Sequence, residues 1–249
     1  MNDLSDQNQK FDAVILAAGS GSRYTKSGGL TLKQVEIYRG LPIIRRLYDQ
    51  LLEIDEVDKI FVVISDNVKH QKIIRKSLPN IGPEFIVNKE SQRDKNLLSF
   101  LLAAEKLRSN AIILESDCVV ESIDIKNMLA ATGVDEICFA NLGYLANGQY
   151  GGVVELNQIR NVIAIHVLTA KELLEFQRKQ KLGLKLFGMT AFGENVLQQY
   201  TTSSHLIDSR FDKYFLEVAI TKPEVFLLKT VRMTKTSFSF NTTSEFIYE

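Results

Sequence analysis

The 249-residue chain carries no excess charge, with 30 lysines and arginines against 30 aspartates and glutamates. Without a basic field there is little to hold a nucleic-acid backbone or an anionic membrane surface, so a small-molecule partner is expected. Long apolar runs are also missing. No stretch approaches the roughly 18 residues needed to cross a bilayer, and the leading MNDLSDQNQK is polar with no apolar signal core, so a cytoplasmic location is expected. Cysteine is scarce, with only Cys118 and Cys138 present and no CxxC spacing, which excludes a disulfide scaffold and argues against zinc. Of the three histidines, His70 and His205 sit in polar contexts, and His166 lies in an apolar stretch that suits a satisfied sheet histidine. No repeat, low-complexity tract or linker divides the chain. Residues 11–249 therefore read as one domain behind a polar tail, residues 1–10.

What the chain does have is concentrated in Phe11 to Gln34, FDAVILAAGSGSRYTKSGGLTLKQ. Ala13 to Leu16 is a continuous apolar run, the mark of a strand covered on both faces. It empties into Ala17-Ala18-Gly19-Ser20-Gly21-Ser22-Arg23, where small residues admit a ligand close to the backbone and glycines take turns that a Cβ forbids. Such a loop can cradle phosphates on its amides. Arg23, and Lys33 ten positions later, supply two cations to a bound triphosphate.

Downstream, buried strands at 59–64 and 111–114 and a short strand at 84–87 alternate with helical patterns at 43–52, 70–78 and 97–107, and Lys33–Tyr38 reads as a short strand. Alternation of this kind predicts a doubly wound α/β sheet, with ligands at the carboxyl ends of its strands. The glycine loop and Asp117 both fall there. Further on, a strand at 136–141, a hairpin from Gly148 to Leu168, a helix at 171–181, a strand at 185–192 and a helix at 194–200 predict a partly antiparallel half. A helix at Asp212–Thr221 and a strand at 225–230 follow.

The run LAAGSGSR, with Lys33 after it and then GLPII, resembles the nucleotidyltransferases that make activated sugars and alcohols. ILESD, ending at Asp117, and FNTTSEF near the C-terminus are similar to two further elements of that family, so the likeness spans nearly the whole chain. It implies a Rossmann-like doubly wound mixed sheet of the nucleotide-diphospho-sugar transferase type. It also implies transfer of a nucleoside monophosphate from an NTP to a phosphorylated small molecule, with release of pyrophosphate. Arg23 and Lys33 then take the catalytic positions, and Leu16, Ala17, Ala18, Gly19, Gly21 and Ser22 the nucleotide-binding ones. Mg2+ is the implied cofactor, on Asp117 and on Asn241, where many relatives carry aspartate; Glu115 and Asp124 stand behind them.

Asn88 and the segment Asn96-Leu97-Leu98-Ser99 resemble the base-recognition region of phosphocholine cytidylyltransferases, which implies roles for Asn88 and Ser99 and favours CTP. For the acceptor, Tyr214 and Glu217 resemble an aromatic–acidic element suited to a cationic head, whereas Tyr150 and Gly151 resemble a loop of sugar uridylyltransferases; Gly188 gives close access. A phosphocholine-like or phosphonate acceptor is the first expectation, and a sugar 1-phosphate with UTP or dTTP the second. Asn241 and the glycine insertion Ser27-Gly28-Gly29 leave room for a non-catalytic nucleotide-binding protein. A homodimer is compatible with all three.

Overall fold

The computed structural model describes residues 9–80, 82–92, 96–145, 151–179, 181–200 and 226–240. Strand β1 (Phe11–Ala17) is buried at every residue because it has neighbours on both edges and cover on both faces. Val14 and Leu16 point into one hydrophobic cluster while Ala13, Ile15 and Ala17 point into the other, which explains the absence of polar alternation. After β1 come helix α1 (Ser22–Lys26), a 3-10 turn (Lys33–Val35), the two-residue strands β2 (Ile37–Tyr38) and β3 (Leu41–Pro42), and helix α2 (Ile43–Leu52). Pro42 occupies the N-cap of α2, and Ile43, Ile44, Leu47, Tyr48 and Leu51 bury one face of it at helical spacing.

Next are β4 (Val57–Ser65), α3 (Val68–Ser77), β5 (Glu84–Asn88), α4 (Leu97–Ala104), β6 (Asn110–Glu115), β7 (Cys118–Val119) and α5 (Ser122–Ala131). Asn67 caps α3, its Oδ1 accepting from the amides of Lys69 and His70. The second half contains β8 (Glu136–Tyr144), β9 (Gly151–Leu156), β10 (Val162–Leu168), α6 (Ala170–Arg178), β11 (Leu182–Phe192), α7 (Glu194–Tyr200), β12 (Leu227–Arg232) and β13 (Phe238–Ser239).

In the nine-stranded sheet β1 lies parallel to β4 and β6, and β4 parallel to β5, so the carboxyl ends of β1, β4 and β6 share one edge. Strand β11 runs antiparallel to β6, β8 and β9, and β9 pairs antiparallel with β10. The expected mixed, doubly wound sheet is therefore present. One local expectation fails: Lys33–Tyr38 is a 3-10 turn followed by a two-residue strand, since alternation within six residues does not outweigh burial of the adjacent Lys33 and Gln34. His166 is a partnered sheet histidine as expected, 2.6 Å from the Glu155 carboxylate. The expected tail, His205, the 212–221 helix and the closing segment from Asn241 lie outside the described residues, the tail save for Gln9 and Lys10.

Candidate active site

At the carboxyl end of β1 the chain turns through Gly21, whose φ of +63° is left-handed and starts α1. A Cβ on Gly21 would make only an ordinary 3.4 Å contact with the Lys33 Cβ, so the left-handed backbone rather than space calls for glycine there. Gln34 fixes the return, its amide nitrogen donating to the Ala17 carbonyl at 3.3 Å. Because Lys33 and Gln34 lie on a 3-10 turn rather than a strand, both face inward. The result is a cavity of about 410 Å³ whose wall includes Leu16, Gly19, Gly21, Ser22, Arg23 and Gln34, with Gln92 and Asn96 opposite.

A second cavity, of about 90 Å³, opens between β9, β11 and β13, with Gly151, Gly152, Lys185, Gly188, Thr190 and Phe240 in its wall. Arg23, Lys33, Glu115 and Asp117 line both cavities. Two cations and two carboxylates thus stand at the junction. Lys33 donates to the Asp117 carboxylate, and its ammonium lies 4.8 Å from the centre of the Phe240 ring. Glu115 accepts from the Asn96 side chain at 3.1 Å. Asn96 begins α4 in a left-handed conformation without a side-chain cap and reaches across to the site instead.

Ligand atoms of Glu115, Asp117 and Cys118 lie within 4.8 Å of one another. The carboxylates are hard oxygen donors of the kind magnesium takes. Burial, followed by the charges of Asp117 and Glu115, pushes the Cys118 thiol well above its ordinary range, and sulfur is a poor donor for magnesium. Glu115 is therefore the better-placed second oxygen donor among the described residues. Asp124 is not: it is fully buried and accepts from the Thr234 amide and the hydroxyls of Thr234 and Ser237, which occupies it in pinning the segment before β13.

Gly188 lines the second cavity because no side chain fits there; a Cβ would lie 2.7 Å from the Cys118 sulfur and 2.8 Å from a Glu115 carboxylate oxygen. Gly151 also lines it. Ala17 and Ala18 are buried beneath the glycine loop rather than in the cavity wall. Asn88 and Ser99 are both buried, Asn88 donates to Ser99 at 3.0 Å and accepts from the Glu90 amide at 2.9 Å, and neither lines either of these two cavities. Their neighbours Ser91, Gln92 and Asn96 take the wall instead, so the pair shapes the turn that carries Ser91 and Gln92. Tyr150, Tyr214, Glu217 and Asn241 lie outside the described residues. Lys185 and Gln92 carried no signal of their own in the sequence, while Gln34 and Phe240 fell inside the opening motif and FNTTSEF without a role assigned to them. Only the pairing of β11 with β9 and β6 brings Lys185 to the site.

The mixed sheet, with its glycine loop at the carboxyl end of β1 facing Asp117 after β6, is of the nucleotide-diphospho-sugar transferase type. Residues 13–181 match the family described as MobA-like NTP transferase domain, and the chain belongs to that family. The inositol-1-phosphate CTP transferase from T. maritima superposes with a TM-score of 0.71 at 14% identity, over 96% of this chain and 92% of that one. The CTP:phosphocholine cytidylyltransferase from Streptococcus pneumoniae superposes with a TM-score of 0.67 at 13% identity, over 95% and 96% of the two chains. At such identities the likeness is one of fold. A curated relative, the D-ribose pyranase of Lactobacillus gasseri, is 33% identical over 81 residues, which is 31% of this chain and 62% of that protein. The chain thus spans less than two thirds of the length of that relative.

Proposed function

We propose that the protein is a nucleotidyltransferase that moves a nucleoside monophosphate from an NTP to the phosphate of a small molecule and releases pyrophosphate. One observation carries the reading: two separate cavities meet at Arg23, Lys33, Glu115 and Asp117, as a reaction between two phosphorylated substrates requires. An acceptor phosphate oxygen attacks the α-phosphorus. The new P–O bond forms as the bond from the α-phosphorus to the bridging oxygen breaks, and pyrophosphate leaves with that electron pair. The attacking phosphate is already ionised at neutral pH, so the site needs no general base, and catalysis rests on positioning and charge stabilisation.

In this reading Gly19 to Ser22 receive the triphosphate, Arg23 neutralises the leaving pyrophosphate, and Lys33 meets the charge that grows at the α-phosphorus. Lys185 holds the acceptor phosphate, supported by its place on the wall of the second cavity. Glu115 and Asp117 are the residues that would hold magnesium, which when bound offsets phosphate charge. CTP with a phosphocholine-like or phosphonate acceptor is our first choice, in keeping with the NxxS segment at Asn96 to Ser99. A sugar 1-phosphate with UTP or dTTP is the second reading, favoured by the Gly151–Gly152 pair in the wall of the acceptor cavity, which leaves room for a bulky polar group.

The test is pyrophosphate release with magnesium, each NTP in turn, and a panel of phosphocholine, aminophosphonates and sugar 1-phosphates. Release with CTP and a choline or phosphonate acceptor is expected. Release only with sugar 1-phosphates moves the assignment to the second reading, and a CTP-induced rise in melting temperature without turnover for any pair replaces it with a non-catalytic nucleotide-binding role.

A further inference from the structure

The ammonium of Lys33 sits at the junction of the two cavities on a side chain with four rotatable bonds, so something must aim it. Asp117 does so in the chain as it stands, but a cation bound at Asp117 would compete with Lys33 for the same oxygen. A constraint independent of Asp117 is needed. The Phe240 ring, fully buried and 4.8 Å from the ammonium, attracts the cation through its quadrupole and competes for no phosphate. Tyr24 is also buried and meets Phe240 edge to face, with ring centres 5.6 Å apart and planes at 76°. Arg23 is the residue before Tyr24, so the two rings tie together the segments that carry both cations.

The glycine insertion after α1 belongs to the same device. A Cβ on Gly29 would lie 2.1 Å from the Tyr24 ring, so only glycine lets the loop pack against the ring that braces Phe240. Tyr24 and Phe240 form a separate small cluster with Tyr38, Ile43 and Val119, and Val119 stands two residues beyond Asp117.

We infer that Phe240, braced by Tyr24 and Gly29, is a positioning residue that holds the Lys33 ammonium toward the phosphates. The inference rests on the nucleotidyltransferase reading for its catalytic consequence, and on geometry alone for its effect on phosphate binding. Phe240→Leu keeps an apolar side chain but removes the quadrupole, whereas Phe240→Tyr keeps the ring. Two assays read the difference: kcat and KM for CTP from pyrophosphate release, and calorimetric affinity for magnesium-free tripolyphosphate. Phe240→Leu is expected to lower kcat about tenfold, equivalent to about 1.4 kcal/mol, and to weaken tripolyphosphate about fivefold. Phe240→Tyr, which keeps the quadrupole, is expected to lose less than Phe240→Leu in both.

Should Phe240→Leu fail to fold by circular dichroism, Gly29→Ala, which displaces the Tyr24 ring without shrinking the cluster, takes its place with the same expected losses. Wild-type kcat and tripolyphosphate affinity in the ring-deleting variant would overturn the inference, as would equal loss in folded Phe240→Tyr. If the wild type releases no pyrophosphate with any substrate pair, the nucleotidyltransferase reading fails, and the role of the ring is decided by the tripolyphosphate comparison alone.

Discussion

Between Leu16 and Gln34 one strand end, one short helix and one turn supply most of the first cavity and both of its cations. The second cavity draws Gly151 from β9, Val167 from β10, Lys185 and Gly188 from β11, and Ser239 from β13, residues that meet only once the antiparallel half of the sheet has formed. One half of the site is thus a local motif and the other a product of topology. A motif can keep its chemistry while the opposite wall changes from protein to protein, which is why the proposed phosphate-handling half is easier to assign than the acceptor half.

The difference can be broken most severely at the junction. Asp117→Ala should cut turnover on the order of 10³-fold, because it removes a carboxylate that would hold magnesium and that aims Lys33, and Lys33→Ala about 10²-fold or more, because it removes a cation aimed at developing phosphate charge. Pyrophosphate release together with a thermal melt checks both; near-wild-type rates in a folded variant would show that the cavities do not meet where the reaction occurs. One step outward, Lys185→Ala should raise the acceptor KM about tenfold while leaving KM for CTP within about twofold, a split that a purely structural lysine would not produce. Equal changes in both constants would merge the two halves. Gly188→Ala should act on the same side, since its methyl must displace Glu115 or Cys118, and a loss of about 1–3 kcal/mol in melting stability is expected alongside weaker acceptor binding.

Asn88 and Gln92 sharpen the comparison from within the nucleotide half. Asn88→Ala removes one hydrogen bond from the buried Ser99 hydroxyl and another from the Glu90 amide and should cost about 1–3 kcal/mol of stability, read by urea denaturation. Gln92→Ala, on the cavity wall, should raise KM for CTP with little change in stability.

The smallest effect is expected far from the junction, at Glu155. Burial alone would raise its pKa, but hydrogen bonds from Lys181 and His166 outweigh that and hold it below the usual carboxylate range. A lowered folded-state pKa contributes stability that is full above the unfolded value and is lost as pH falls through the folded one. Glu155→Gln should therefore cost less than about 1 kcal/mol at neutral pH and nothing once the wild-type carboxyl is protonated, which melting curves from pH 7 downward would record.

How far the sequence carried follows from the same contrast. The sheet, the helix at Ile43–Leu52 and the loop from β1 were legible because burial on both faces, helical spacing and small residues are local patterns. Lys33 was legible as a residue but not in its conformation, since a 3-10 turn that buries a lysine is decided by Asp117 and Phe240, far away in the chain. Asn88 and Ser99 were legible as a pair but not in what they touch: nothing local says that they satisfy each other. Asp124 and Glu115 looked equivalent as spare carboxylates until tertiary contacts gave one to Thr234 and Ser237 and brought the other to the junction.

The division of labour between the two cavities is tested most directly by a crystal structure of the protein with magnesium and CTP. The account predicts the triphosphate along Gly19 to Arg23, with the α-phosphorus beside Lys33 and Asp117 and the cavity at Gly151, Lys185 and Gly188 left for the acceptor. CTP seated instead between β9 and β11, with the glycine loop empty, would contradict it.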